Sequence, residues 1–341
     1  MTDNRFDFIR LFLAASVMVY HAVALGAAVP FSQLELRLAI LAEIAIQGFF
    51  IVSGLLVASS LERSKTLGDY TGKRIRRLYP AYATIILVPA AISFWLTRDL
   101  TGVGAYLAAN LVFLNFLAPD LPGLFEGQRF TAVNGALWTL KIEVMFYIAL
   151  PIILWVLARF GRLWWIGIAL LYAGGELWAY FVPRLVPGGL GIELARQLPG
   201  QMAYFAMGIA LWKALPHIQH RWVRLALAGT GLFGASLIHP DLAFLRAFGL
   251  AGLIGALAWA PGWKPNAARF GDISYGLYIT HFPILQALVA GGFAASLGFP
   301  AFMALGAGLS ILASLALWHL VERPALRPSS HYRKVTAQAG R

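Results

Sequence analysis

Long apolar runs recur along this chain, and short polar or basic segments separate them. Ten of these runs are about 15 to 25 residues long, which matches helices that cross a bilayer core of about 30 Å. Because a helix satisfies its own backbone hydrogen bonds in lipid, the pattern predicts an all-α integral membrane protein. The predicted spans are residues 8–28, 37–58, 80–97, 133–157, 163–183, 200–214, 223–238, 243–260, 273–293 and 300–321.

An eleventh apolar stretch, residues 102–117, is short and carries Asn110 and Asn115. If it crossed the membrane, the basic clusters that follow it would move to the outer side. We therefore predict ten spans and one re-entrant or interfacial helix, which keeps every basic cluster and both termini in the cytoplasm.

Hydrophobic residues make up 60% of the chain and charged residues only 12%, against about 25% charge in soluble domains. The net charge of +12 follows from this topology, so nucleic acid is not an expected partner.

The chain shows no tandem repeat and no second soluble domain. We predict one transmembrane domain over residues 1–324 and a basic cytoplasmic tail over 325–341. The first apolar run resembles a signal peptide near Ala22–Ala24, but its length and its histidine predict a retained span. There is no cysteine, which excludes disulfides and thiolate metal sites, and no motif implies a metal.

The first predicted span carries ionisable residues. Arg10 and His21 are eleven positions apart, so they return to nearly the same helix face with a rise of roughly 16 Å between them. Asp7 lies one turn before Arg10. Ionisable groups within membrane helices are costly and mark reaction sites or pathways, and a neutral imidazole is a natural general base. The alternatives are an interfacial Asp7–Arg10 ion pair and a histidine that only packs helices.

Two further polar groups lie in the third and fourth predicted spans. Arg74 and Arg77 share a face just before Pro80, where a helix N-terminus and two guanidinium groups would suit phosphates. Ordinary positive-inside charge or lipid headgroup contact is the alternative. Glu143 and Tyr147 are four residues apart and face the same way. Glu143 is a candidate to orient an imidazole from another helix, or it belongs to a structural buried pair.

Near the C-terminus, Ser274, Tyr278 and His281 form one stripe of the ninth predicted span, and Glu322 closes the last span. These four residues and Asp7 are candidates for the substrate site. A polar stripe in a membrane bundle also serves to hold helices together, and this alternative stays open.

In this order, the polar groups resemble membrane acyltransferase family 3, the bacterial O-acyltransferases of surface polysaccharides and related carbohydrates. The resemblance covers residues 5 to 324. The matching pieces are Arg10 with ten residues before His21, Phe49–Gly54, Arg-x-x-Arg at Arg74 and Arg77, Trp138-x-Leu-x-x-Glu143-x-x-Phe-Tyr147-x-x-x-Pro151, Ser274-Tyr-x-x-Tyr278-x-x-His281-x-Pro283, and Glu322-x-Pro324.

This resemblance implies an acyl-CoA donor on the cytoplasmic side, His21 as the catalytic residue, and Arg10, Arg74 and Arg77 in donor binding or acyl transfer. We expect transfer of an acyl group, with acetyl as the first candidate, to a hydroxyl of a carbohydrate or glycoconjugate. The expected location is the bacterial inner membrane, where lipids surround the protein. His21 should then face a channel from the basic entrance, with Glu143 or a water molecule orienting its ring. A covalent acyl-histidine, the acceptor's identity and the oligomeric state stay open. The rival hypothesis is a proton-coupled transporter or flippase of a lipid-linked sugar.

Overall fold

A computed structural model describes residues 4–26, 30–263 and 272–326. The predicted tail lies outside the described residues from 327 onward, as do the last two residues of the predicted first span. Within the described ranges the chain is almost entirely helical, and the only β-type pairing is an isolated bridge between Leu121 and Leu124. The all-α prediction is confirmed at this level.

The structure has fourteen α-helices in the described residues. They are α1 (Phe6–Gly26), α2 (Gln33–Glu62), α3 (Leu67–Thr97), α4 (Leu100–Asn110), α5 (Trp138–Arg159), α6 (Trp164–Leu185), α7 (Gly189–Ala195), α8 (Leu198–Ile218), α9 (Trp222–Ile238), α10 (Arg246–Trp259), α11 (Ile273–Ala290), α12 (Phe293–Leu297), α13 (Phe299–Leu317) and α14 (Arg323–Ala325). Short 3₁₀ helices precede α6 and α10, and a π-helical turn, Trp318–Glu322, follows α13.

Eight of the described helices are long and apolar enough to cross a membrane. They correspond to eight predicted spans and contain α1, α2, α3, α5, α6, α10, α11 and α13. Helices α8 and α9 coincide with the two other predicted spans, but α9 has only 17 residues, so the count of ten stays a prediction. Helix α4 has 11 residues and rises roughly 16 Å, too short to cross a bilayer by itself.

Helix α3 begins well before the predicted residue 80. Thr66 caps its N-terminus, because the Thr66 hydroxyl accepts a hydrogen bond from the backbone N–H of Asp69 at 3.1 Å. Pro80 lies inside the helix and does not end it. The predicted boundary was wrong because it followed the apolar run, whereas the capping residues set the helix start. Arg74 and Arg77 therefore lie in the second and third turns rather than at the helix N-terminus.

Helix packing places α1 and α2 at the centre of the bundle. Helix α1 packs between α2 and α11, α11 packs on α13, and α2 packs on α8. The α2–α8 contact depends on Gly54 and Gly208, because a Cβ on Gly54 would lie 2.4 Å from the Phe205 carbonyl oxygen. Small residues at such crossings let two membrane helices approach closely. Arg10 of α1 and the C-terminal half of α2 line the same internal space.

Candidate active site

A cavity of about 950 Å³ lies at the end of the bundle that carries the N-terminus of α1. Five helices each contribute a polar lining residue, namely Arg10, Ser53, Arg74, Glu143 and Tyr278. This volume falls within the range of about 300–1,000 Å³ that small-molecule and cofactor sites occupy. The cavity therefore has both the size and the charged groups of a ligand site.

One wall of the cavity contains a cluster of two cations and two carboxylates. Arg10 donates a hydrogen bond to Asp272 at 2.9 Å, and Arg77 contacts the same carboxylate oxygen. Arg77 also lies 3.5 Å from Glu322, which is only 1% exposed and ends the π-helical turn after α13. Burial would raise the pKa of the Asp272 carboxyl, but Arg10 and Arg77 outweigh it and hold that pKa well below its usual range. Ser274 donates a further hydrogen bond to Asp272 at 2.8 Å.

Arg74 has a different environment from Arg77. Its guanidinium donates to the Ser60 hydroxyl at 3.2 Å and lies 5.8 Å from the centroid of the Tyr147 ring. No carboxylate pairs with Arg74 in the described residues. Because the helix starts seven residues earlier, the helix dipole contributes nothing here. The expected anion site would depend on guanidinium charge alone.

Glu143 belongs to a polar group in the cavity wall. Its carboxylate accepts hydrogen bonds from the Ser53 hydroxyl at 2.7 Å and from the Tyr147 hydroxyl at 2.5 Å. The predicted shared face of Glu143 and Tyr147 is confirmed. The structure does not bring Glu143 to His21: Glu143 bonds to Ser53 and Tyr147, whereas Nδ1 of His21 lies beside His281.

His281 of α11 is the partner of His21. The Nδ1 atom of His21 lies 2.8 Å from Nε2 of His281, and Nδ1 of His281 lies 2.9 Å from the Leu277 carbonyl oxygen. A carbonyl only accepts, so Nδ1 of His281 carries a proton, and Nε2 of the neutral ring is an acceptor. His21 then donates from Nδ1, and its own Nε2 keeps a free lone pair. This chain of hydrogen bonds fixes the tautomer that a general base needs.

The histidine pair lies behind the inner wall of the cavity. The described lining residues include neither histidine. Tyr278 lines the cavity, its ring centroid lies 6.0 Å from that of His281, and its hydroxyl is 2.7 Å from the Thr139 hydroxyl. Phe49 also lines the cavity and packs edge to face on Tyr278 at 5.5 Å. The sequence predicts a channel that opens directly onto His21. Among the described residues the cavity does not reach this ring, because Tyr278 lies between the cavity and the histidine pair.

A second charged group lies at the other end of α1. Arg129 binds Glu35 through two hydrogen bonds of 3.0 and 2.8 Å and donates to the Ala24 carbonyl at 2.8 Å. Ala24 is three residues beyond His21, so this pair is about one helical turn further along α1. His21 itself is only partly buried. The imidazole consequently lies between the cavity and the Arg129–Glu35 pair.

The structure brings most of the candidate residues together. Seven of them line the cavity or its charged wall, namely Arg10, Arg74, Arg77, Glu143, Ser274, Tyr278 and Glu322. His21 and His281 form the pair behind Tyr278. Asp7 is 4% exposed and lies inside the bundle, outside the cavity lining. The suggested Asp7–Arg10 ion pair is replaced by Arg10–Asp272.

Sequence reasoning missed three features of this region. Asp272 directly precedes the noted Ser274 stripe, but a single acidic residue at a helix start gives no sign of two arginine partners from other helices. Arg63 and Lys65 line the cavity mouth, but their position in a basic segment of the sequence predicts only topological charge. The Glu35–Arg129 pair had one signal, since Ser32-x-x-Glu35 is the sequence pattern of a capped helix start, and the Ser32 hydroxyl does accept from the Glu35 backbone N–H.

Comparison with known proteins agrees with this architecture. Residues 3–319 match the acyltransferase 3 family model, described as an acyltransferase domain. The chain is 29% identical to nodulation protein 10 of Rhizobium leguminosarum bv. viciae, covering 95% of this chain and 93% of that protein. It is 26% identical to an O-acetyl transferase of Shigella phage Sf6, covering 96% and 97%.

The chain is also 27% identical to the exopolysaccharide production protein ExoZ of Rhizobium meliloti, covering 86% of this chain and 92% of that protein. No solved structure matches the chain significantly. The family match spans nearly the whole membrane domain, and it favours an enzyme over the transporter or flippase hypothesis. The chain therefore belongs to the acyltransferase 3 family and is a membrane O-acyltransferase.

Proposed function

We propose that this enzyme transfers an acetyl group from acetyl-CoA to a carbohydrate hydroxyl, with His21 as the general base. The observation that carries the proposal is the alignment of three features. These are a cation-lined cavity of about 950 Å³, the His21–His281 pair behind its inner wall, and the position of His21 between that cavity and the Arg129–Glu35 pair. A donor that bears both phosphates and a thioester fits such an arrangement.

The donor would lie in the cavity with its thioester directed toward Tyr278. Arg10, Arg74 and Arg77 line this space, and we propose that they contact the donor. The rise of roughly 16 Å between Arg10 and His21 is comparable to the reach of a phosphopantetheine arm. Because Tyr278 stands between the cavity and the histidines, the rings of Phe49 and Tyr278 must move aside when the thioester arrives.

In the proposed reaction, Nε2 of His21 accepts the proton of the acceptor hydroxyl. The hydroxyl oxygen forms a bond to the thioester carbonyl carbon, and the carbon–sulfur bond then breaks. The coenzyme A thiolate leaves and takes the proton from the His21 imidazolium. His281 keeps Nδ1 of His21 in the donor role, so the lone pair that reacts is always on Nε2. General-base assistance of this kind contributes typically 10²–10⁴-fold.

The chemical class of the acceptor is inferred from the names of the relatives. One of them is named an O-acetyl transferase and another an exopolysaccharide production protein, so we propose a polysaccharide or glycoconjugate acceptor for this chain. We place the cavity mouth on the cytoplasmic side of a bacterial inner membrane, together with both termini. The basic residues near that end of the bundle support this orientation.

Glycan analysis in cells tests this proposal. Surface carbohydrates are compared by mass spectrometry in cells that lack the protein and in cells that express wild type, His21→Gln or His217→Gln. His217 is an exposed histidine outside the cavity and serves as the matched control. We expect an acetyl increment of mass with wild type and His217→Gln, and none with His21→Gln at equal protein level. Unchanged glycans with wild type, or full acetylation with His21→Gln, would refute the proposal.

A further inference from the structure

Six cationic side chains line the cavity, and half of them already have carboxylate partners. Arg10 and Arg77 are bound to Asp272 and Glu322. Lys73 lies 2.7 Å from Asp69 and donates a second hydrogen bond to Ser64. These ion pairs compensate the charge of this part of the cavity, so they leave no excess positive charge for a multivalent anion.

The other three cations, Arg63, Lys65 and Arg74, have no carboxylate partner in the described part of the chain. Among the described residues, the Arg63 guanidinium bonds only to the carbonyl of Ser59, one turn back in its own helix. Arg74 uses one nitrogen for Ser60, while its buried Nε has no partner. Excess positive charge is thus concentrated at one part of the cavity mouth.

Local structure holds these charges near one another. Arg63 is the C-terminal cap residue of α2, and Lys65 precedes Thr66, which caps α3. Burial, followed by the charge of Arg74, lowers the pKa of the Arg63 guanidinium. Two like charges that repel each other at a cavity mouth destabilise the empty site, and a bound polyanion would remove that repulsion.

We propose that Arg63, Lys65 and Arg74 bind the phosphate groups of the nucleotide part of the donor. This inference rests on the proposed acetyl-CoA function and deepens it. Guanidinium groups bind phosphate oxygens through paired, charge-assisted hydrogen bonds, and an ammonium adds a point charge. Arg10 and Arg77, by contrast, stay bound to Asp272 and Glu322 and contact the uncharged part of the donor. The ligand is therefore recognised by its phosphates at the mouth and by its thioester at the inner end.

The test compares donors that share the thioester and differ in phosphate content. Acetyl-CoA, acetyl-dephospho-CoA and S-acetyl-pantetheine are given to the purified full-length enzyme together with surface carbohydrate from cells that lack the protein as the acceptor, and thiol release is measured. The variants are Arg63→Gln, Lys65→Gln and their combination. The matched control is Arg76→Gln, which lies on the same helix as Arg74 but does not line the cavity. Thermal unfolding checks that all variants are folded.

We expect the double variant to raise KM for acetyl-CoA roughly tenfold or more, with kcat unchanged. The increase should be smaller for acetyl-dephospho-CoA, and kcat/KM for S-acetyl-pantetheine should not change. Equal losses with all three donors, or an unchanged KM for acetyl-CoA, would overturn the inference while leaving the proposed function intact. If wild type released no thiol from any of the donors, the proposed function itself would fail, and this inference with it.

The same cations could instead hold anionic lipid headgroups, and the assay separates the two sources of phosphate. It is repeated in nanodiscs of neutral phosphatidylcholine and in nanodiscs that contain phosphatidylglycerol. A phosphate site for the donor predicts the KM effect in neutral nanodiscs as well. A KM effect that occurs only with the anionic lipid would assign the three cations to lipid and overturn the inference.

Discussion

The contact between His21 and His281 yields a quantitative prediction about a positioning residue. His281→Leu keeps a side chain of moderate size but removes the acceptor that lies 2.8 Å from Nδ1 of His21. His281→Gln offers an amide oxygen at a similar reach. If His281 fixes the tautomer and orientation of His21, the leucine variant should lose activity and the glutamine variant should retain most of it.

The size of the loss follows from the hydrogen bond. A largely buried N–H without an acceptor costs about 1–3 kcal/mol, which the His21 ring avoids by rotating or by moving its proton to Nε2. Either response removes the lone pair on Nε2 of His21 from the position in which it accepts the proton. Since about 1.4 kcal/mol corresponds to tenfold, kcat should fall by roughly 5- to 150-fold in His281→Leu. KM for acetyl-CoA should stay near its wild-type value, because His281 does not line the donor cavity.

The assay is steady-state release of coenzyme A from acetyl-CoA by purified enzyme, with surface carbohydrate from cells that lack the protein as the acceptor and thermal unfolding as a folding check. Thr280→Val is the control, because Thr280 is a buried polar neighbour that contacts Ser310 and Ser314 rather than His21. The reasoning would be refuted by an unchanged kcat in His281→Leu. It would also be refuted by equal losses in the leucine and glutamine variants, which would indicate a purely steric role.

Three further predictions concern the charged wall, the inner end of the cavity and the topology. Asp272→Asn should lower Tm at neutral pH, because a carboxyl with a lowered native pKa stabilises the fold. This stabilisation is complete above the unfolded pKa of about 3.9 and is lost gradually as the pH falls toward the lower native pKa. The Tm difference from wild type should therefore shrink below about pH 4, and a difference that grows in acid would contradict the ion-pair assignment. Phe49→Ala should raise kcat/KM for butyryl-CoA relative to acetyl-CoA by roughly tenfold, and an unchanged ratio would show that Phe49 does not confine the acyl group. In this cysteine-free chain, a membrane-impermeant maleimide should label Ser64→Cys only from the cytoplasmic side and Asp120→Cys only from the opposite side, and the reverse pattern would contradict the orientation.

The sequence predicted features that depend on local spacing. Apolar run lengths located the long helices, and the four-residue spacing of Glu143 and Tyr147 gave a contact that the structure contains. Helix starts that depend on capping residues were harder to predict. At Thr66, for example, polar residues extend α3 well beyond its apolar part. The pairing of residues from distant helices could not be predicted, because nothing local indicates that α11 rather than α5 is the neighbour of α1.

The same limit explains why the partners of His21, Arg10 and Arg77 differ from those that the sequence suggests. Glu143 was a reasonable partner for His21 by chemistry, since a carboxylate commonly orients an imidazole. Packing decided otherwise and placed His281 beside His21 and Glu143 beside Ser53. Likewise, Arg10 and Arg77 had the chemistry of phosphate ligands, but Asp272 already binds both of them.

The measurement that tests the central claim most directly uses the purified protein in proteoliposomes, with surface carbohydrate from cells that lack the protein as the acceptor and with no ion gradient. Release of coenzyme A from labelled acetyl-CoA is followed. Wild type and His21→Gln are compared at equal amounts of folded protein. The account predicts turnover by wild type and a loss of about 10²-fold or more in the variant. Comparable turnover by both proteins, or turnover by wild type only when a proton gradient is imposed, would contradict it.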